Sequence, residues 1–139
     1  SVKSIHDNFK NSINYLQCGQ SGCINIKPTN TKKKKLIRNM IKRGTVLIKS
    51  PFSIFKFDAV ITILHHPTTI RENYEPVIHC GSVRQTARIC HMDNELVRSG
   101  DSTNATFQFK FKPEFIELNQ DIVFREGNTK GIGKVIKVY

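Results

Sequence analysis

This sequence predicts an all-β protein, because apolar and polar residues alternate in two segments and turn residues separate them. Every second residue from Phe55 to Ile63 is apolar, which is the pattern of a strand with one buried face. The same alternation continues after Thr106 and predicts that Phe107, Phe109 and Phe111 all face inward. Short strands separated by turns, without a sustained helical period, favour an antiparallel β-barrel or a β-sandwich.

The turns and the remaining strands follow from local residue types. Gly, Asp, Ser and Asn predict turns at residues 98–102 and 126–128. Apolar and β-branched residues predict strands at residues 122–124 and 131–138. Only residues 35–43 offer a short helix of one or two turns.

Positive charge is concentrated in the first part of the chain. Of the formal net charge of +11, residues 1–51 carry +10, because they contain eleven Lys and Arg residues and a single acidic residue, Asp7. This asymmetry indicates an anionic partner for the first segment, with RNA favoured over a membrane surface. The alternative is that the Lys-rich run at residues 32–35 is a solvated loop without a partner.

Cysteine usage and hydropathy narrow the class of protein. The sequence has no apolar run of about 18 residues and no signal-peptide core. It begins at Ser1 like a piece of a longer chain. The four cysteines are predicted to be reduced thiols in the cytoplasm. Cys18 and Cys23 have a spacing that zinc knuckles allow, but Cys80 and Cys90 do not form a second close pair, so no metal site is predicted.

Catalytic motifs are not found in the sequence. It has no Gly-rich phosphate loop and no nucleophile elbow. His65 and His66 are adjacent, so on a strand they point to opposite faces and do not chelate one ion together. The remaining candidates are basic residues near aromatic strands, which either contact phosphate groups or cover a solvated surface: Lys110, Lys112, Arg125 and Lys130.

Four motifs in register resemble the third domain of elongation factor Tu and elongation factor 1-alpha. They are Phe57–Ile61, Tyr74–Cys80, Arg98–Asp101 and Arg125–Gly133. Residues 64–69 and 79–87 are similar to a divergent subgroup, the eukaryotic GTP-binding proteins related to elongation factor 1-alpha. The resemblance implies a third-domain-like antiparallel β-barrel at residues 52–139. It implies that residues 1–51 are the C-terminal part of a second β-barrel, with a Lys-rich insertion that begins at Lys32.

The resemblance also implies that this chain is not an enzyme. The GTPase domain of such proteins would precede these residues and is absent here, so GTP and magnesium are expected only in that missing domain. No cofactor is expected in this chain, and the parent protein is expected to be a GTPase.

By position, the resemblance places tRNA contacts of the elongation factor Tu type at five residues. These candidate tRNA-binding residues are Thr86, Lys112, Glu126 and Gly127, with Arg125 beside them. Contacts of this kind read the shape of the RNA rather than its sequence. The last turn is one residue shorter than in elongation factor Tu, and Asn128 stands where the divergent subgroup tends to carry Arg.

The function expected from these observations is that of a non-catalytic C-terminal region of a translation-factor GTPase, which binds tRNA or ribosomal RNA and serves as a docking region. The expected location is the cytoplasm. The alternative is a protein-docking domain that regulates the GTPase domain or binds an exchange factor without contacting RNA. The protein's own G domain is an expected partner and a membrane is not. A truncated barrel at residues 1–51 leaves unpaired strand edges, which predicts self-association.

Overall fold

A computed structural model describes residues 1–29 and 40–139. The chain divides into two compact units, Ser1–Lys42 and Arg43–Tyr139. The described residues contain nine strands and no α-helix. The Lys-rich insertion predicted to begin at Lys32 and most of the short helix predicted at residues 35–43 lie outside the described residues.

The first unit contains a three-stranded antiparallel sheet. Its strands are β1 (Val2–His6), β2 (Ser12–Ile13) and β3 (Cys23–Ile26), in the order β2-β1-β3. Asp7 closes the turn between β1 and β2, because its Oδ1 accepts hydrogen bonds from the backbone N–H groups of Phe9 and Asn11. That this sheet is part of a second-domain-like barrel stays a prediction.

The second unit is a closed barrel of six antiparallel strands, which confirms the predicted fold class. The barrel order is β4-β7-β6-β5-β8-β9, and the last strand closes on the first. Each strand of the barrel pairs with a neighbour on both sides, so the closed sheet has no edge strand. The strands are β4 (Lys56–His65), β5 (Val77–Cys80), β6 (Val83–Met92), β7 (Ser102–Phe109), β8 (Asp121–Glu126) and β9 (Thr129–Val138).

Alternating side chains from every strand fill the barrel. Phe57 of β4 pairs with Phe107 of β7, and their rings stack with centroids 5.3 Å apart. Phe109 lies against the same ring at 5.4 Å. The largest fully buried side chains are Phe57, Phe107, Phe109, Phe124, Ile61, Ile63, Ile70, Ile78, Ile89, Ile116, Ile122 and Val97.

Two of the phenylalanines predicted to face inward are exposed, and both lie just outside a strand. Phe55 is 48% exposed because β4 begins one residue later, and Phe111 is 71% exposed because β7 ends at Phe109. Past this point two backbone bonds remain, from Phe109 N to Phe55 O at 2.8 Å and from Lys110 N to Thr86 O at 3.1 Å. The apolar alternation continues in the sequence past the point where the sheet has ended, so the prediction was wrong at these two positions.

One glycine of β9 is required by packing in the barrel. A Cβ placed on Gly131 would lie 2.0 Å from the ring of Phe124 on the paired strand. Any side chain at this position would displace a fully buried aromatic ring. Gly131 therefore allows Phe124 to fill this part of the core.

Candidate nucleic-acid interface

A row of outward-facing side chains crosses four strands of the barrel. Thr86 of β6 pairs with Val77 of β5, Val77 pairs with Arg125 of β8, and Arg125 pairs with Lys130 of β9. Directly paired residues of antiparallel strands point to the same face. Two interstrand spacings therefore separate Thr86 from Arg125, about 10 Å. The row therefore contains two predicted site residues, Thr86 and Arg125, together with Val77 and Lys130 on one outer surface.

Next to Thr86 the surface sinks into an open groove. The groove has a volume of about 530 Å³, and its lining contains two of the predicted site residues, Thr86 and Lys112. Arg84 lies two residues before Thr86 on β6, so both side chains face outward from the same strand. The groove lining consists of Val77, Arg84, Gln85, Thr86, Phe111 and Lys112.

Gln85 is buried and holds one wall of this groove in place. Its Oε1 accepts the backbone N–H groups of Phe111 and Lys112, both at 2.9 Å. Its Nε2 donates to the Lys112 carbonyl oxygen at 3.0 Å and to Glu114 Oε1 at 2.9 Å. One side-chain amide therefore replaces the strand partner that residues 111 and 112 lack, and it fixes the position of their backbone.

The Lys112 ammonium group is paired with the buried carboxylate of Glu114. The Nζ–Oε1 distance is 3.1 Å, and the side chains are 58% and 8% exposed, respectively. An ammonium group has three N–H donors, so this ion pair leaves two of them for a ligand in the groove. The pair also restricts where the charge of Lys112 can lie.

Glu126 and Gly127 lie at the opposite end of the row, in the turn between β8 and β9. Gly127 has φ +53°, a left-handed conformation that glycine adopts without steric cost. Glu126 follows Arg125 on β8, and successive strand residues point to opposite faces. Burial raises the pKa of the Tyr74 hydroxyl group, the neighbouring Thr129 side chain lowers it in part, and the Glu126 carboxylate raises it further. Glu126 therefore takes part in a polar cluster apart from the groove.

The predicted site residues thus fall into two groups. The groove brings Thr86 and Lys112 together, and Arg125 shares the outer face of Thr86, whereas Glu126 and Gly127 lie outside the groove lining, at the turn that follows Arg125. Arg84 was not among the site residues predicted from the sequence, although its two-residue spacing from Thr86 puts both on the same face of a strand. Phe111 was not predicted as a surface residue either, because the alternation of β7 continues through that position.

Of the two adjacent histidines, His66 makes contacts that hold the structure, and His65 is exposed. His66 Nδ1 lies 2.7 Å from Thr129 Oγ1, and its ring meets Tyr74 edge-on at 5.6 Å between centroids. His65 ends β4 and is exposed opposite Lys130.

Within residues 1–29 and 40–139, no group of three or more His, Cys, Asp or Glu side chains is placed to hold a metal ion. No helix in these ranges is long and apolar enough to cross a membrane.

Cys80 differs from the exposed cysteines in reactivity. Its side chain is 2% exposed, and burial, followed by the nearby charge of Asp121, raises the pKa of its thiol to about 11. Only the thiolate is nucleophilic. At about pH 8, iodoacetamide is therefore expected to alkylate exposed Cys18 and Cys23 well before Cys80, which peptide mass spectrometry over time would resolve. In urea-unfolded protein the difference should disappear; equal rates in the folded protein would contradict this prediction.

The barrel with its partly basic groove defines a class, that of small antiparallel β-barrel domains which present a rigid outer surface. The match to known families is specific. Residues 50–139 match the elongation factor Tu C-terminal domain family, and the chain belongs to this family. The resemblance seen in the sequence motifs is thereby confirmed, and the family is that of the C-terminal domain and not of a nucleotide-binding domain.

Curated relatives extend the likeness over the first unit. GTP-binding protein 1 of Xenopus laevis is 37% identical over 141 residues, covering 99% of this chain and 20% of that protein. GTP-binding protein 2 of Mus musculus is 36% identical over 106 residues, covering 73% of this chain and 17% of that protein. Elongation factor 1-alpha of Hyperthermus butylicus is 32% identical over 121 residues, covering 70% of this chain and 28% of that protein.

Among solved structures, sup35 complexed with GDP superposes with a TM-score of 0.76 at 19% sequence identity. The superposition covers 99% of this chain and 37% of the sup35 chain. At this identity the likeness shows the fold alone. The chain spans between 17% and 28% of the length of the curated relatives named above.

Proposed function

We propose that this chain is a non-catalytic RNA-binding and docking region of a cytoplasmic translation-factor GTPase. In this proposal the groove beside β6 binds the sugar–phosphate backbone of tRNA or ribosomal RNA. The supporting observation is the convergence of Arg84, Thr86 and Lys112 on one open groove. Phosphate binding requires cationic and hydroxyl donors on an accessible surface, and this groove has both.

The electrostatics of the outer face are consistent with this proposal. The groove lining described above contains two cations and no carboxylate, and the nearest acid, Glu114, is buried behind Lys112. Arg125 and Lys130 extend the positive charge along the same row. A phosphate chain that follows this row meets cations at both ends.

Hydroxyl and backbone groups supply the remaining chemistry. Within the described residues, neither Thr86 nor Arg84 has a side-chain hydrogen bond, so both groups are available to a ligand. A threonine hydroxyl can donate to phosphate or bond a 2′-hydroxyl. Such contacts position an RNA backbone and do not distinguish base sequences.

The alternative is that this barrel docks a protein, either its own G domain or an exchange factor. The observation that favours it is the exposure of Val123 and Ile132, which pair side by side on the outer face of β8 and β9. Adjacent exposed apolar side chains are more typical of a protein contact than of an RNA contact.

Removing charge from the groove distinguishes the two functions. Arg84→Glu and Lys112→Gln are each expected to weaken binding of bulk tRNA about tenfold, and the salt dependence should fall by about one unit for each lost contact. Lys112 is neutralised and not reversed because a carboxylate there would face Glu114. Fluorescence anisotropy over a series of salt concentrations measures both quantities.

Lys134→Glu is the matched control, because Lys134 is an exposed cation of β9 that lies outside the groove, with Asp121 as its ion-pair partner. It should reduce tRNA affinity much less than either groove variant. If both groove variants behave like Lys134→Glu, the groove does not bind RNA and protein docking becomes the favoured function.

A further inference from the structure

The exposed ring of Phe111 is the least expected feature of the groove. It is 71% exposed and lies in the groove lining together with Arg84 and Lys112. Its backbone N–H is held by buried Gln85, and Lys112 next to it is held by Gln85 and Glu114. A ring carried on such a constrained segment loses little backbone freedom when a ligand binds.

The chemistry around this ring fits a nucleotide. A planar aromatic face stacks on a nucleobase, and every base has such a face. The guanidinium and ammonium groups in the same lining suit the phosphates on either side of that base. Val77 contributes an apolar wall, and a groove of about 530 Å³ lies in the range of sites that hold one small molecule.

The geometry also distinguishes between paired and unpaired RNA. Bases inside a duplex are already stacked on their neighbours, so they have no free face for Phe111. An unpaired base can leave the stack and lie on an aromatic side chain. Backbone contacts by Arg84 and Lys112 alone would not need an exposed aromatic ring in the same groove lining.

We propose that this groove binds one unpaired RNA nucleotide, whose base stacks on Phe111 while Arg84 and Lys112 contact the flanking phosphates. This inference rests on the proposed RNA-binding function and specifies its substrate class as a single-stranded loop, bulge or end. Thr86 lies on the same wall and can bond the ribose 2′-hydroxyl. A protein partner is the less favoured occupant, because lysine is depleted from the cores of protein interfaces and Lys112 is part of this groove lining.

The test compares two RNA probes of equal length, a fluorescent oligouridylate and a duplex. Phe111→Ala is expected to weaken binding of the oligouridylate about tenfold, the loss of one stacked base. Its affinity for the duplex and the salt dependence of both affinities should stay unchanged, since no charge is removed. Phe111→Tyr retains an aromatic face and should bind both probes as the original chain does. Lys134→Glu serves again as the control outside the groove.

A second readout locates the contact directly. Ultraviolet crosslinking of 4-thiouridine-substituted oligouridylate should yield a nucleotide adduct on the peptide that contains Phe111, and Phe111→Ala should abolish it. Equal losses for both probes, or no loss for either, would overturn this inference and leave the backbone-binding function standing. If the original chain binds neither tRNA nor either probe, both proposals fail. A protein partner that is lost with Phe111→Ala while oligouridylate binding persists would assign the ring to protein docking.

Discussion

Phe107→Ala is expected to lower the free energy of unfolding by about 3–5 kcal/mol. The Phe107 side chain is fully buried, and its β7 position pairs with Phe57 on one side and Ile89 on the other. Removing the ring loses its transfer free energy and its stacking on Phe57, and it leaves a cavity in a closed barrel whose strands cannot move inward independently. Because a domain of this size is stable by about 5–15 kcal/mol, the variant loses a large fraction of its stability.

Urea unfolding followed by circular dichroism measures this loss as a shift of the midpoint at unchanged slope. Phe111→Ala is the matched control, since it removes the same side chain from a position that is 71% exposed. It should change the free energy of unfolding by less than about 0.5 kcal/mol. Similar losses for the two variants would contradict the assignment of Phe107 to the core and of Phe111 to the surface.

Gln85→Leu is expected to cost about 3 kcal/mol although leucine fills a similar volume. The substitution removes four hydrogen bonds at once. It leaves the backbone N–H groups of Phe111 and Lys112, the Lys112 carbonyl oxygen and one carboxylate oxygen of Glu114 without that partner. Each buried polar group that loses its partner costs about 1–3 kcal/mol, and residues near the surface recover part of this from water.

This substitution also tests whether Gln85 positions the groove. Without the amide, the backbone of residues 111 and 112 is no longer held. The tRNA affinity should therefore fall, even though the Gln85→Leu substitution removes no charge. Gln108→Leu is the control, because Gln108 is an exposed glutamine of β7 whose side chain bonds only the Cys90 thiol among the described residues, at 3.5 Å. A Gln85→Leu variant as stable as Gln108→Leu would show that the four bonds do not hold this segment.

The strands that form the barrel core were predictable because their pattern is local. The alternation over β4 and the first part of β7 identified buried positions such as Phe57, Ile61 and Phe107 correctly. The resemblance in motifs such as residues 125–133 indicated the family from the sequence alone, and the family match confirms it. These signals lie within a few residues of one another, so they can be read along the chain.

The ends of the strands were not predictable in the same way. Phe55 and Phe111 continue an apolar alternation, but the backbone of residues 111 and 112 bonds to Gln85, which is 26 and 27 residues away in the sequence. No local pattern reveals that a buried glutamine ends β7. The prediction that Phe111 faces the core was therefore wrong, and its surface role followed only from the fold.

Residue types and their spacing alone predict an all-β chain with basic groups and no recognisable catalytic motif. The resemblance of its motifs to the elongation factor Tu C-terminal domain supplied the family, which the family match shows. Strand pairing then decided which of the basic groups meet. It placed Thr86, Arg84 and Lys112 around one groove and left Glu126 outside that lining, near Tyr74. The physical reason is that side-chain direction follows from local alternation, whereas neighbours across strands depend on register and closure, which only the complete barrel determines.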